Sequence, residues 1–206
     1  MPIEVLTPSL AAQIAAGEVV ERPVSVVKEL IENSLDAHAA SIVIDVGKDP
    51  CSYISGVDDG DGISSNEIDL ALTHHATSKL HTLDQLDDIR TLGFRGEALP
   101  SIASVSKVLI VSRRLGSDSA YSVEYDCGLK INETAYASAI GTSVSVIDLF
   151  SNVPVRLKFL RSSTSELTKV KDIVHLFAMA YPSVKFQLRI EGKVTFDTQG
   201  LSLIHI

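Results

Sequence analysis

The chain has 206 residues, 45% of them hydrophobic and 21% charged, which excludes a disordered segment and leaves enough apolar material for a core without disulfide or metal staples. Its two cysteines, Cys51 and Cys127, form no CxxC pair and point to a reducing compartment; no charge-free apolar run approaches the ~18 residues of a membrane span, and MPIEVLTPSL has no signal-peptide layout. The net charge of −8 is uneven: residues 1–149 hold 10 Lys and Arg against 22 Asp and Glu, and residues 150–206 hold 8 against 4, so the basic end is one edge of a larger surface rather than a free-standing nucleic-acid binder.

In chain order, residues 8–38 read as helical, broken at Gly17 and again at Arg22-Pro23, with Glu18 to Leu35 the stronger segment. Ser41 to Gly47 alternates apolar and polar residues at the strand period, and Ser52 to Asp58 continues the sheet. The turn-rich DDGDGIS follows, then a helix expected over Ser65–Leu72, with a hydroxyl at its start and Glu67 in its first turn. A polar loop around HHATSK leads to GFRGEALPSIASVS, Gly-rich at its head and helical behind. Three or four strands are expected between Lys107 and Leu149, turning near Leu115-Gly116-Ser117, Cys127-Gly128 and Ile140-Gly141. A helix over Ser165–Tyr181 and a hairpin over Val184–Phe196, turning at Glu191-Gly192, complete the pattern. No repeat or linker divides the chain. The fold class is α+β: a two-layer sandwich with a mixed, mostly antiparallel sheet covered on one face by helices.

The helix over Val26–Asp36 carries the first chemistry. At 100° per residue, Glu32, Asn33 and Asp36 fall within roughly 60° of Glu29, opposite Val27, Leu30, Ile31, Ser34 and Leu35. The stripe is a solvated face or a ligand site. It holds no Lys or Arg to pair its acids, and an amide one turn from a carboxylate suits a magnesium ion, which takes oxygen ligands and keeps several waters. Asp58-Asp59-Gly60-Asp61-Gly62, after a strand, is an ordinary turn, part of a calcium loop that lacks its downstream Glu, or the floor of a nucleotide pocket. In the last case an acceptor-only carboxylate takes the exocyclic N–H of adenine. Gly93 to Leu99 precedes a helical run and offers amides to an anion, although neither GxxxxGK[ST] nor GxGxxG is present. Arg95 and Glu97 also fit a structural ion pair. His74, His75 and His81 lack further ligands at metal spacing. Lys79 lies where it can approach phosphate, and no nucleophile motif appears.

Taken together, IAAGEVVERPVSVVKELIENSLDA (14–37), DDGDGI (58–63), HATSK (75–79), GFRGEAL (93–99) and GT-x-V-x-V-x-DLF-x-N-x-P-x-R-x-KFL (141–160) resemble the N-terminal ATPase domain of the MutL family of DNA mismatch-repair proteins. GFRGEAL and AAGEVVERP separate that family from the gyrase-type topoisomerases, heat-shock chaperones and histidine kinases that share its nucleotide-binding fold. The resemblance implies ATP and Mg²⁺ held between helices and sheet. It casts Glu29 as general base, Asn33 as Mg²⁺ ligand, and Asp58 as adenine reader helped by Gly62 and Thr142, with Ala37 also at the nucleotide. Thr77, Ser78, Lys79, Gly93, Phe94, Arg95, Gly96, Glu97, Ala98 and Leu99 become lid and phosphate cradle. It further implies a domain over 1–200, an ATP-driven dimer with a like or related partner, the mismatch-recognition protein MutS as a partner, DNA contacts mainly in regions beyond this chain, no membrane association, and a cytoplasmic location in bacteria or a nuclear one in eukaryotes. A catalytically weak nucleotide-binding module and a histidine-kinase-type phosphotransferase are the alternatives. Two departures stand out. Asp59 replaces the family's usual Asn and places a third acid beside Asp58 and Asp61, and LSLIHI (201–206) does not continue the family pattern.

Overall fold

The structure is a computed structural model and describes residues 16–17, 19–74, 76–77, 91–93 and 96–199. Helix α1 spans Pro23–Asp36. It does not start at Glu18: Pro23 occupies the first turn, where a missing N–H costs nothing, and Arg22 before it is extended at φ −161° and ψ 168°. Before it, the Val20 N–H meets the Ala16 carbonyl at 2.8 Å, and Ala16, Gly17 and Val19 are helical. The strands β1 (Ser41–Val46) and β2 (Tyr53–Asp58) follow, then α2 (Ala98–Ser104) and four strands, β3 (Lys107–Arg113), β4 (Ala120–Asp126), β5 (Leu129–Tyr136) and β6 (Gly141–Ile147). A short α3 (Pro154–Phe159), which sequence periodicity does not announce, leads to α4 (Ser163–Ala180) and the hairpin β7 (Lys185–Ile190) and β8 (Lys193–Asp197).

The helix expected over Ser65–Leu72 is a correction. Residues 65–69 form turns, and only Leu70–Leu72 is helical, as a single 3₁₀ turn. Bonds from i to i−3 and i−4 are mixed along it, and its side chains are drawn elsewhere: Glu67 to Arg114 at 3.0 Å, Asp69 to Tyr125 at 3.1 Å and to Lys130 at 2.5 Å. Ile68 and Leu72 are its buried anchors. These tertiary bonds override a weak local helical preference.

The sheet runs β5-β4-β3-β6-β2-β1-β7-β8. Every neighbouring pair is antiparallel except β1 with β7, which is parallel because α3 and α4 carry the chain back across the layer. Register places three rows of side chains on the helix-covered face. Val46, Ile54, Val146, Val108 and Tyr125 form one row, and Ile44, Gly56, Val144, Ile110 and Val123 the next. Phe186 and Leu188 of β7 extend the apolar surface, and Val26, Val27, Leu30 and Ile31 of α1 close over it with Val170, Val174 and Phe177 of α4. The expected fold class stands. Among the described residues no helix is long and apolar enough to cross a membrane.

Gly56 sets how close α1 comes to the sheet. A Cβ there would lie 3.2 Å from both Cβ and Cδ1 of Leu30. Gly56→Val is expected to push α1 off β2 and lower stability by about 1–3 kcal/mol, the usual cost of overpacking. Thermal denaturation reads this directly, and an unchanged midpoint would show that α1 does not rest there.

Candidate functional site

The third row across the covered face differs from the other two. It consists of Ile42, Asp58, Thr142, Ser112 and Tyr121, four of them polar. The apolar layer therefore ends in a strip of carboxylate and hydroxyls, where the strands meet the loops.

Asp58 is fixed from three sides. Its Oδ1 accepts the amides of Gly60 at 3.0 Å and Thr142 at 3.2 Å. Its Oδ2 is 2.8 Å from the hydroxyl of Ser34, which also lies 3.0 Å from the Leu30 carbonyl. Ser34 reads from the sequence only as part of the apolar back of α1; its reach to Asp58, 24 residues on, carries no local sequence signal. Next along the row, Thr142 Oγ1 is 2.9 Å from Ser112 Oγ, which accepts the amide of Ile63 at 2.8 Å. Burial pushes the Asp58 carboxyl above its ordinary value; hydrogen bonds from Ser34, Gly60 and Thr142 pull it back part of the way, and the charge of Asp59 adds to the rise.

The three acids of DDGDG do not converge. Asp59 Oδ1 accepts the amides of Ala40 and Ser41, both at 2.8 Å, and so pins the start of β1. Asp61 meets His38 at the surface, 2.8 Å from Nδ1. That divergence removes the calcium-loop reading, and among the described residues no group of three or more His, Cys, Asp or Glu could hold a metal ion. Gly60 packs on Ala37, whose carbonyl accepts the Asp61 amide at 2.8 Å. Gly62, at φ +70°, lies against the Arg113 carbonyl, which a Cβ would approach to 2.1 Å.

Glu29 and Asn33 sit one turn apart on α1, both half-buried. The stripe is not free of cations, as had been expected. Lys28 lies 40° from Glu32 on the helix and bonds it at 2.7 Å, and its Nζ is 3.9 Å from Glu29 Oε1. Asp36, at the end of the stripe, takes the amides of Leu92 at 3.0 Å and Gly93 at 3.1 Å. It thereby holds the first residue of GFRGEAL against α1. Glu97 pairs with His74 at 2.8 Å; the ion pair expected between Arg95 and Glu97 lies outside the described residues. At Gly96, φ +62°, a Cβ would stand 2.3 Å from the Ala76 carbonyl, so only glycine admits the backbone of the 76–77 segment so closely. Thr77 thus lies near Gly96, and Ala98 and Leu99 open α2. Ser78, Lys79, Phe94 and Arg95 lie outside the described residues.

Asn152 was expected only as part of a motif. Its side-chain amide donates to the Ser104 carbonyl at 2.8 Å, at the last turn of α2. A surface cavity of about 420 Å³ opens at the outer end of this row, lined by Ser112, Tyr121, Ile63 and Arg114 and by none of Glu29, Asn33 and Asp58. Burial pushes the Cys51 thiol up to about 12, aided by Asp49 and Glu166, so it stays protonated and is no nucleophile.

Comparison with known proteins places this geometry in a class of ATPase fold. A family model described as histidine kinase-, DNA gyrase B- and HSP90-like ATPase matches residues 21–152, and the chain belongs to that family. It is 45% identical over 195 residues to the DNA mismatch repair protein MutL of Akkermansia muciniphila, covering 95% of this chain and 31% of that protein. To MutL of Vibrio vulnificus it is 49% identical over 197 residues, covering 94% and 29%. The solved ATPase domain of Aquifex aeolicus MutL complexed with ADP superposes with a TM-score of 0.71 at 34% identity, covering 90% of this chain and 66% of that one. A structure described as the N-terminal domain of a DNA repair protein gives 0.78 at 30% identity, covering 93% and 57%. The resemblance to the MutL ATPase domain is borne out, and the chain spans less than a third of the length of these curated relatives.

The raised Asp58 carboxyl has a stability consequence. A carboxyl whose folded pKa exceeds its unfolded one binds more protons when folded, so its contribution is full below the unfolded value and is lost as pH rises through the folded value. Relative to Asp58→Asn, the wild type is expected to lose stability as pH climbs from the ordinary carboxylate value through the raised one, and to differ by a constant amount above it. Denaturant titrations of both proteins across that window test the sign; a relative gain with rising pH contradicts it.

Proposed function

We propose that this chain binds ATP with Mg²⁺ and hydrolyses it, as the nucleotide-driven switch of a longer MutL-type mismatch-repair protein whose ATPase domain covers residues 1–200. The supporting observation is Asp58, held by Ser34, Gly60 and Thr142 at the polar end of an otherwise apolar layer. Two amides occupy Oδ1 and the Ser34 hydroxyl meets Oδ2, which orients the carboxylate and leaves one lone pair on Oδ2 for the exocyclic N–H of adenine; the carbonyl of guanine at that place would be repelled.

Glu29 and Asn33 face the same flank of α1. Among the described residues no cluster of acidic, His or Cys ligands stands ready to cage a cation. That fits Mg²⁺ brought in on phosphate oxygens, with the Asn33 amide oxygen as its protein ligand and waters completing the shell. The ion supplies charge neutralisation at the phosphates. Glu29 orients the attacking water and takes its proton as the oxygen approaches phosphorus. Thr77, Ser78, Lys79 and Gly93 to Leu99 surround the phosphates, with Ala37, Gly62 and Thr142 near the base. Phosphoryl transfer asks for such positioning and charge stabilisation more than for covalent chemistry.

ATP then acts as a ligand with unequal affinity for open and closed forms, favouring closure of the 77–99 region and pairing with a like or related subunit, and hydrolysis resets it. MutS is the proposed upstream partner, and DNA contact falls mainly to parts of the longer protein beyond this chain. The proposed location is the bacterial cytoplasm, or the nucleus in a eukaryote.

Glu29→Ala is expected to cut hydrolysis by about 10²–10⁴-fold while sparing binding of a non-hydrolysable ATP analogue with Mg²⁺. Calorimetry and a phosphate-release assay separate the two; surviving turnover removes Glu29 as base, and absence of any heat removes the nucleotide site. Asp59→Asn should leave analogue affinity within about twofold, because the amide oxygen of Asn can accept the same two backbone N–H groups as Asp59 Oδ1. A large gain in affinity would place the Asp59 charge at the phosphates instead.

A further inference from the structure

Two arginines, pointing in opposite senses, hold the segment that leads into α1. Arg156 of α3 donates from Nη1 to the Val20 carbonyl at 2.8 Å, and its guanidinium lies 5.6 Å from the centre of the buried Phe150 ring. Gly17 provides the space: a Cβ there would stand 1.6 Å from Arg156 Nη2 and displace it. In return Arg22, the residue before α1, reaches Glu166 in the first turn of α4, with Nη1 3.6 Å from Oε1. Lys169 approaches the same oxygen at 3.2 Å. Glu166 is only 2% exposed, and its buried Oε2 has no hydrogen-bond partner among the described residues.

A carboxylate buried so completely, with one oxygen bare, is costly to keep for stability alone; a well-packed apolar residue would serve α4 as well. Its place suggests what it does. The far half of α1 is anchored independently, by Leu30 on Gly56, Ser34 on Asp58 and Asp36 on Leu92 and Gly93. The near end has Arg22 on Glu166 and the Arg156 grip on Val20. Glu29 is seven residues beyond Arg22, roughly 10 Å along the axis, between the two anchorages.

We propose that Arg22, Glu166 and Arg156 are positioning residues for Glu29. They fix the near end of α1, so that the base is held at its working depth while the binding groups are fixed from the far end. This rests on the reading of Glu29 as the base. Because Asn33 and Asp58 are secured separately, loosening the near end displaces Glu29 more than it disturbs nucleotide binding. The effect therefore falls on kcat and not on affinity.

The test measures kcat and the Kd of the Mg²⁺-bound non-hydrolysable analogue in the full-length protein, for Arg22→Ala, Glu166→Ala, the double variant and Glu166→Gln, with thermal melts alongside. Each alanine variant is expected to lose about tenfold in kcat with Kd within about twofold of wild type. The double variant should be no slower than the worse single one, since both break one tie. Glu166→Gln keeps an acceptor for Arg22 and should stay within about threefold of wild type. A Kd rising in step with the loss of kcat, additive losses, or Glu166→Gln as slow as Glu166→Ala would overturn the proposal. Should Glu166→Ala not fold, Arg22→Ala and Glu166→Gln decide it. Wild type and Glu29→Ala run in parallel: absent wild-type turnover, or turnover that survives Glu29→Ala, defeats the ATPase reading and this inference with it. Normal behaviour of those two with tie variants matching wild type defeats this inference only.

Discussion

The placement of the whole site depends on how α1 lies along β2. Four residues of helix advance roughly 6 Å and two residues of strand roughly 6.7 Å, so a helix running with a strand meets it at every fourth residue against every second. Leu30 rests on Gly56, and Ser34, four residues on, meets Asp58, two residues on. One contact is a steric stop and the other a hydrogen bond, and together they set the rotation of the helix and the depth of its far half. With that rotation set, Glu29 and Asn33 cannot turn into the core; they stand on the flank beside the polar end of the sheet. The register that buries the helix is the same register that aims its polar groups.

Charge is handled by dispersal. Three aspartates in four positions would repel one another and a phosphate if they shared a cavity. Each instead faces a different set of partners: Asp58 the row across the sheet, Asp59 the amides that begin β1, Asp61 the exposed imidazole of His38. This accounts for the exchange of Asn for Asp at position 59, since both residue types offer an acceptor oxygen to Ala40 and Ser41 and neither needs a charge there. Only Asp58 is desolvated, and its raised carboxyl is the cost of setting an acceptor where a base edge can meet it.

Period and punctuation made most of this legible in the sequence. The alternation in Ser41–Val46, the turns at Cys127-Gly128 and Glu191-Gly192, and the polar stripe of α1 are local signals, and local physics decides them. The strands expected between Lys107 and Leu149 are legible for the same reason, with turns where Leu115-Gly116-Ser117 and Ile140-Gly141 punctuate them. What was not legible depends on partners far along the chain. Residues 65–69 carry a plausible helix start, yet Arg114, Tyr125 and Lys130 engage their acids and leave a 3₁₀ turn. Lys28 lies off the stripe on a flat wheel, but a long side chain reaches 40° around the helix to Glu32. Ser34 counted as apolar backing because nothing in its neighbourhood foretells that Asp58, 24 residues later, will stand above it.

The loops that would close on a ligand are rooted by backbone as much as by side chain. Asp36 holds the amides of Leu92 and Gly93, so the last residue of α1 is also the post from which GFRGEAL departs. At the other root, Gly96 presses on Ala76 and Glu97 bonds His74, which joins the two loop segments before either reaches the site. A displacement of α1 therefore carries the start of one loop with it, and the second segment is bound to that loop's end. The helix that bears the proposed base and metal ligand is in this way mechanically continuous with the loops proposed to cover the phosphates.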